Sequence, residues 1–198
     1  STYHSLQTSI FTAPRIYVDK MASGMLDGTS WTDAMRELSV GTALAGCRNA
    51  DSVLVSQGSY LPNLTNSRLT SFNIPSNTSV YGGFPTGGGT FAQRNPVTYI
   101  TRLSGDIGVA GNNSDNVYHV IKIDSAAQNA LLDGVTLSYG NANGTGDNGQ
   151  GAAVFCRGGL TLQNVIMNNS TGLTNGQLIR NRSVSAILKL TDCKLYGP

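Results

Sequence analysis

The feature that most constrains this chain is a motif that recurs three times in its last third. Ala130-Leu131-Leu132-Asp133-Gly134-Val135-Thr136-Leu137 aligns with Leu160-Thr161-Leu162-Gln163-Asn164-Val165-Ile166-Met167 and with Leu188-Lys189-Leu190-Thr191-Asp192-Cys193-Lys194-Leu195. Leu132, Leu162 and Leu190 are separated by 30 and then 28 residues, as are Val135, Val165 and Cys193. Within each copy the apolar residues stand at positions 1, 3, 6 and 8, so the alternation of a strand breaks once, between 3 and 6. Two intervening residues in place of one mean a bend. The second of them is Gly134, Asn164 or Asp192, the residue types that best tolerate the left-handed conformation. Each copy therefore reads as strand, tight left-handed turn, strand, with both strands facing one interior.

A unit of this size cannot bury its apolar face alone. Stacking successive copies about 4.8 Å apart buries it and satisfies the backbone through parallel ladders. The expected fold is an all-β parallel β-helix, with a β-sandwich as the alternative; a sandwich gives no reason for an in-phase left-handed position. A second echo precedes the repeat, where Asn148-Gly149-Gln150 and Asn175-Gly176-Gln177 open the strand-like runs Ala153-Val154-Phe155 and Leu178-Ile179.

Upstream, residues 1–15 show no periodicity and read as a leader or loosely docked arm, leaving 16–198 as the β-helix domain, the N-terminal portion of a longer solenoid. Ile16-Tyr17-Val18 is the first strand-like run. Ser30 as N-cap, Asp33 at the capping-box position and Trp31, Met35 and Leu38 on one face predict a capping helix over about 30–45, with Gly41 and Gly46 limiting its length. Short β-branched runs follow at Val53-Leu54-Val55, Phe72-Asn73-Ile74, Ser79-Val80-Tyr81, Tyr99-Ile100 and 117–123.

Composition agrees with turns and strands: 24 glycines in 198 residues, and only 12% charged against 39% hydrophobic. The net charge is +2 with scattered arginines, which argues against nucleic acid as a partner. No apolar stretch reaches the ~20 residues of a membrane span, and the chain reads as soluble, as a mature or trimmed form. Cys47, Cys156 and Cys193 are far apart and odd in number, against a disulfide framework or structural zinc.

A string of motifs carries a resemblance: Gly28-Thr29-Ser30-Trp31, then 51–60 (Asp51-Ser52-Val53-Leu54-Val55-Ser56-Gln57-Gly58-Ser59-Tyr60), then Val80-Tyr81-Gly82-Gly83-Phe84. Leu103-Ser104-Gly105-Asp106-Ile107, 113–120 and Leu132-Asp133-Gly134-Val135-Thr136-Leu137 continue it. Over roughly residues 16–198 the chain resembles bacterial surface β-helix proteins of pectate-lyase-like fold, similar to polymorphic outer-membrane and adhesin-like repeat proteins, often from Bacteroidetes. The resemblance implies a single-stranded right-handed parallel β-helix with an N-terminal capping helix, secreted or outer-membrane-associated at the cell surface. It implies no chemistry, because the fold hosts lyases, hydrolases, adhesins and passive stalks. The Gly-Gly-Gly-aromatic opening of later coils is replaced here by Gly149-Gln150-Gly151-Ala152-Ala153-Val154.

Several residues offer chemistry, each against a plainer reading. Asp106, Asn112, Asn113 and Asp115 supply the hard oxygens that calcium prefers; the competing reading is that Asx residues make their own turns. Tyr60, Tyr81, Phe84 and Tyr139 are aromatic candidates to face a sugar, against core or rim packing. His119 is a candidate base beside Asp106 or Asp115, against a hydrogen-bonded strand residue, and Asp147 marks a second Asn-rich loop. Gly144-Thr145-Gly146-Asp147-Asn148-Gly149 matches GxGxxG in letters but leads towards a strand, not a helix. The one glutamate, Glu37, lies on the predicted capping helix, so any acid/base pair would come from aspartates. Arg157, Arg180 and Arg182 could line one face as in a lyase.

The leading expectation is a non-catalytic extracellular scaffold or adhesin-like surface domain, and the alternative is a carbohydrate-active module that binds or cleaves polysaccharide or a host or cell-surface glycan. Self-association through the open C-terminal coil is expected as well.

Overall fold

β-branched triplets between Gly- and Asn-rich turns can form only short strands, and the computed structural model, which describes residues 14–62, 65–173 and 178–197, stacks such strands in tiers. The first tier holds β1 (Arg15–Val18), followed by the helix α1 (Leu38–Arg48); the second holds β2 (Ser52–Ser56) and β3 (Gly58–Tyr60). The third contributes β4 (Ser79–Phe84), β5 (Thr101–Ser104) and β6 (Ile121–Ile123). The fourth runs β7 (Ala130–Asp133), β8 (Thr136–Ser138), β9 (Asn141–Ala142) and β10 (Val154–Cys156). The fifth repeats it with β11 (Leu160–Gln163), β12 (Ile166–Asn168), β13 (Thr171–Gly172) and β14 (Ile179–Asn181), and β15 (Leu188–Thr191) and β16 (Lys194–Leu195) form the last.

Every pairing between these strands is parallel. They form a six-stranded sheet β1-β2-β4-β7-β11-β15, a five-stranded sheet β3-β5-β8-β12-β16, a three-stranded sheet β6-β10-β14 and the pair β9-β13. Register keeps like over like. Ile16, Val53, Val80, Leu132, Leu162 and Leu190 form one column, and Tyr60, Leu103, Leu137, Met167 and Leu195 form another. The interior members are buried, whereas Leu190 and Leu195 on the last tier are 41% and 49% exposed. Val135 and Val165 are buried in the same core, with Cys193 packed partly against it.

The corner between the two larger sheets is the left-handed turn that the repeat predicts: φ is 69° at Gly134, 50° at Asn164 and 52° at Asp192. The turn amides donate to the next tier, Gly134 N–H to Gln163 O and Asn164 N–H to Thr191 O, both at 3.0 Å. Two further corners use the same device. Asn77 and Asn129 (φ 56° and 53°) precede β4 and β7, with Asn129 Nδ2 donating to Asn77 Oδ1 at 3.0 Å. Tyr139 and Asn169 (φ 65° and 47°) follow β8 and β12.

The helix is displaced from its expected position. Ser30 and Asp33 do exchange hydrogen bonds, Asp33 N–H to Ser30 Oγ at 3.1 Å and Ser30 Oγ–H to Asp33 Oδ2 at 2.8 Å. The chain nevertheless turns there, because Asp33 also accepts from Met25 N–H and Met35 pairs with the edge of β1. The helix starts only at Leu38 and ends at Asn49, in a left-handed cap. Gly41 and Gly46, expected to stop it, lie inside it. A Cβ on Gly41 would come within 2.5 Å of Val18 Cγ2, so the glycine lets the helix lie close against β1. Residues 1–13 of the expected leader lie outside the described residues, while Arg15 belongs to β1.

Between β4 and β5 a loop folds back over the outside of the first tiers. Trp31 stacks against Tyr17 and Phe84 at 5.0 and 5.2 Å, and Phe91 meets Tyr81 and Phe84 at 5.1 and 5.4 Å. Arg94 fastens the loop: its guanidinium donates to Asp133 Oδ1 at 2.8 Å, to Asp133 O at 2.9 Å and to Gly82 O at 2.5 Å. Asn164 Nδ2 adds a bond to the same carboxylate at 3.1 Å.

Four substitutions check this account by denaturant unfolding. Leu162→Asp puts an unpaired charge into the longest column, with an expected loss of more than about 4 kcal/mol. Asn164→Val forces a β-branched residue into the left-handed turn, an expected loss of about 2 kcal/mol; Asn164→Gly loses only the bond to Asp133, about 1 kcal/mol or less. Arg94→Ala strands a carboxylate that is 8% exposed, with an expected loss of about 3 kcal/mol. An unchanged unfolding midpoint for Leu162→Asp would exclude the column, and equal losses for the two Asn164 variants would exclude the turn.

Candidate functional site

The outer face of the β6-β10-β14 sheet gathers the most side-chain chemistry. β10 pairs with both neighbours so that Lys122, Phe155 and Arg180 stand in one outward row across the tiers. The residues just past the strand ends, Arg157 and Arg182, follow in step: Arg157 N–H donates to Ile123 O, and Arg182 N–H to Cys156 O. The loop between β9 and β10 lies beside them, with a 3-10 turn over Gly146–Gly149 that leads through Gln150 towards β10. The GxGxxG letters thus precede a strand, not a phosphate-binding helix.

Asp147 on this loop binds both arginines. Arg157 Nη2 contacts its Oδ2, and Arg182 Nη1 donates to its Oδ1 at 2.7 Å. The three side chains are a third to a half exposed, so solvent screens the pairs and each contributes at most about 1 kcal/mol. They orient the arginines more than they stabilise the fold. Arg180 packs beside Gly151, where a Cβ would lie 2.9 Å from Arg180 Cβ. The Arg180 Nε atom and the Oε1 atom of neighbouring Gln150 are both buried without hydrogen-bond partners.

His119 sits beneath the loop, 4% exposed, with its ring centroid 4.8 Å from that of Phe155. Its Nδ1 lies 3.1 Å from Gly151 O, which assigns that nitrogen as the donor, since a carbonyl can only accept. Burial pushes the imidazole below its ordinary value and Lys122 adds to this, while Gly151 O, Asn148 and Asp147 oppose. His119 is therefore a neutral strut under the loop and does not pair with Asp106 or Asp115.

The Asp106–Asp115 loop turns most of its side-chain oxygens on its own backbone and side chains. Asp106 accepts from Gly111 N–H at 3.0 Å, and Asp115 Oδ2 from Val109 N–H at 2.9 Å and Asn112 Nδ2 at 3.3 Å. Asn112 Oδ1 accepts from Ser114, and Asn113 Oδ1 from Asn116 Nδ2. Asp115 Oδ1 and Asn116 Oδ1 are buried without partners. Among the described residues no group of three or more His, Cys, Asp or Glu side chains is placed to hold a metal ion.

The aromatic candidates are distributed differently from their sequence reading. Tyr60 and Phe84 are fully buried, the first in the inner column, where burial pushes its phenol up to about 12, and the second against Trp31, so neither faces a ligand. Tyr81 is held between Phe91 and Arg94, and Tyr139 makes a corner. Arg68 is a positioning residue that pattern reading passed over: it donates to Asn116 O, Asn141 O and Asn143 Oδ1 and stacks 4.1 Å from the centre of Tyr118, tying the two Asn-rich loops together. Nothing in its sequence neighbourhood signals this. Open grooves elsewhere among the described residues include one of about 390 Å³ past Gly134, Asn164 and Asp192 and one of about 560 Å³ past Gln128, Thr161 and Lys189. Neither collects a carboxylate pair. No helix among the described residues is long and apolar enough to cross a membrane.

In comparisons with known proteins, no family model, no curated protein and no solved structure matches the chain.

The environment of His119 sets a pH dependence. Above about pH 6.5 the imidazole is neutral in both states and its burial costs nothing. Below it the unfolded chain takes up a proton that the folded chain resists, so stability falls as the pH drops from about 6.5 to the depressed folded value. His119→Phe keeps a ring beside Phe155 without a titrating group. The melting temperature of the variant should fall less than that of the natural chain between pH 7.5 and 5; parallel curves would show that His119 is not buried neutral.

Proposed function

We propose that this chain is a stretch of right-handed parallel β-helix that serves as a non-catalytic extracellular scaffold, an adhesin-like surface domain. The observation that supports this reading is the six-strand column from Ile16 to Leu190, held in register from tier to tier by backbone bonds. At about 4.8 Å per step each tier lengthens the molecule, and it is this length, not a pocket, that the column contributes. Such an element suits the spacing and display of side chains from its outer faces. The uncharged polar surface rich in Asn, Ser and Thr fits exposure to solvent outside the cell.

A carbohydrate-active role is the second reading, and the pairing of Asp147 with Arg157 and Arg182 favours it, because carboxylate and guanidinium are the groups that polysaccharide cleavage on such a surface would use. As both arginines are committed to that carboxylate, display rather than turnover is the stronger form.

Incubation of the chain with pectin, alginate and host glycans, read by reducing-end release and by absorbance of unsaturated products, separates the two. The scaffold reading expects no product above a heat-denatured control. Product formation that disappears in Asp147→Asn, with the fold intact by circular dichroism, would replace it with the enzymatic reading.

A further inference from the structure

We propose that the outer side of α1 is the seat of a second copy of this chain, so that two molecules join end to end through a pair of antiparallel helices. The inference goes beyond the scaffold reading and does not depend on it.

The helix Leu38–Arg48 carries no charged side chain before its last residue. A helix lying on a protein surface with one side in water sets a charged face opposite its apolar stripe, and a helix that is apolar all round is covered all round. Leu38, Gly41, Thr42 and Ala45 fill the inner stripe, where Gly41 meets Val18 and Val53. The opposite side, at spacings of three and four residues, is Val40, Ala43 and Cys47, all exposed and Val40 by 50%. Leu44 lies on one flank of this side, beside Gly28. Both sides of α1 are thus built like an interior, and the tiers cover one of them. The same end of the molecule exposes Met21 and Met25 by 74% and 78%. Their segment is tied to the start of the helix by Arg36, whose Nε–H donates to Ala22 O at 2.8 Å.

The charges at the two ends of the helix name the occupant. Glu37 stands immediately before α1 and Arg48 closes it, and at about 100° per residue both fall on the flank of Leu44. Glu37 makes no ion pair among the described residues. Arg48 donates one N–H to Asp27 O at 3.2 Å, close enough to the Asp27 carboxylate to lower its pKa, and its remaining donors are open to a further acceptor. A second copy laid antiparallel over the stripe, with the two-fold axis between Ala43 and Leu44, brings Glu37 of each molecule beside Arg48 of the other and opposes the two helix dipoles. The same register sets Val40 over Cys47 of the second copy and Ala43 over its Leu44, so the stripe matches itself. A parallel pairing would face Glu37 with Glu37 and Arg48 with Arg48. One helix stripe and two methionines fall short of a standard interface, so the dimer is a weak one.

Sedimentation velocity on the whole chain is the test. A monomer–dimer equilibrium with a Kd of about 0.1 mM or tighter is expected. Val40→Glu places a charge in each half of the seam and should weaken the dimer about tenfold or more. Glu37→Arg and Arg48→Glu should each weaken it severalfold when alone, and a mixture of the two variants should recover it, because each then offers the charge that the other lacks. A cluster that only stabilised the single chain would give no recovery on mixing, and melting temperatures establish that each variant is folded. The register is read by oxidation. Ala43→Cys in a Cys47→Ser chain should crosslink, since the two thiols meet at the two-fold axis, whereas in the natural chain the two Cys47 residues lie about 10 Å apart along the helices, beyond the reach of a disulfide. A chain still monomeric at about 1 mM, no recovery on mixing, or faster crosslinking of the natural chain than of the Ala43→Cys chain would overturn the proposal. Dimerisation only after removal of residues 1–13 would overturn it as well, by assigning the helix face to that segment. None of these outcomes bears on the turnover assay, so the dimer and the scaffold reading fall separately.

Discussion

Each strand in this protein is two to six residues long and cannot persist alone, so the structure depends on the ladder bonds by which one tier satisfies the next. Parallel pairing places residue over residue, and every tier must then return to the same corner at the same height. The left-handed turns accomplish this, and their own amides donate to the following tier at Gly134 and Asn164. With direction and height fixed, the side chains are sorted without further instruction: Leu over Leu inside, Lys over Phe over Arg outside. The apolar columns supply the free energy, about 1.5–3 kcal/mol for each fully buried aliphatic side chain, while the backbone determines where that free energy is collected.

The later tiers were the most legible part of the chain because repetition converts a weak local pattern into a statement of register. Leu132, Leu162 and Leu190 aligned on the page lie aligned in the sheet, and Gly134, Asn164 and Asp192 share one conformation. The remaining corners were missed for two separate reasons: Asn77 and Asn129 are separated by an insertion, and Tyr139, although it shares the repeat spacing with Asn169, is a residue type that sequence reasoning does not place at positive φ. The helix was misplaced for a related reason. Ser30 and Asp33 form the bonds of a helix start, but a tertiary pairing of Met35 with β1 holds the backbone extended, and local pattern carries no information about such a pairing.

The candidate site was legible only in part. Asp147, Arg157, Arg180 and Arg182 were visible as residue types, and the tier register is what brings them onto one face. Tyr60 lies in the inner column and Phe84 is covered by Trp31 and Phe91 on the outer side, because aromatic rings are also the largest fillers of packed space, and composition cannot tell those uses apart. The aspartates behave similarly. Asp106 and Asp115 order their own loop, and Asp133 secures an insertion against a corner, so most acidic groups on this chain serve the backbone and Asp147 stands out by serving two arginines.

The glycines inside α1 tie its formation to that of the strands beside it. Gly41 and Gly46 each lower intrinsic helicity by about 1 kcal/mol relative to alanine, and eleven residues fall short of the length at which an isolated helix persists in water. The segment 38–48 therefore becomes helical only when β1 and β2 already offer the surface that Gly41 fits. Pairing of β1 with β2, residue over residue from Arg15–Ser52 to Val18–Val55, has to come first. The helix is then a late piece to close, arriving after the strands that receive it.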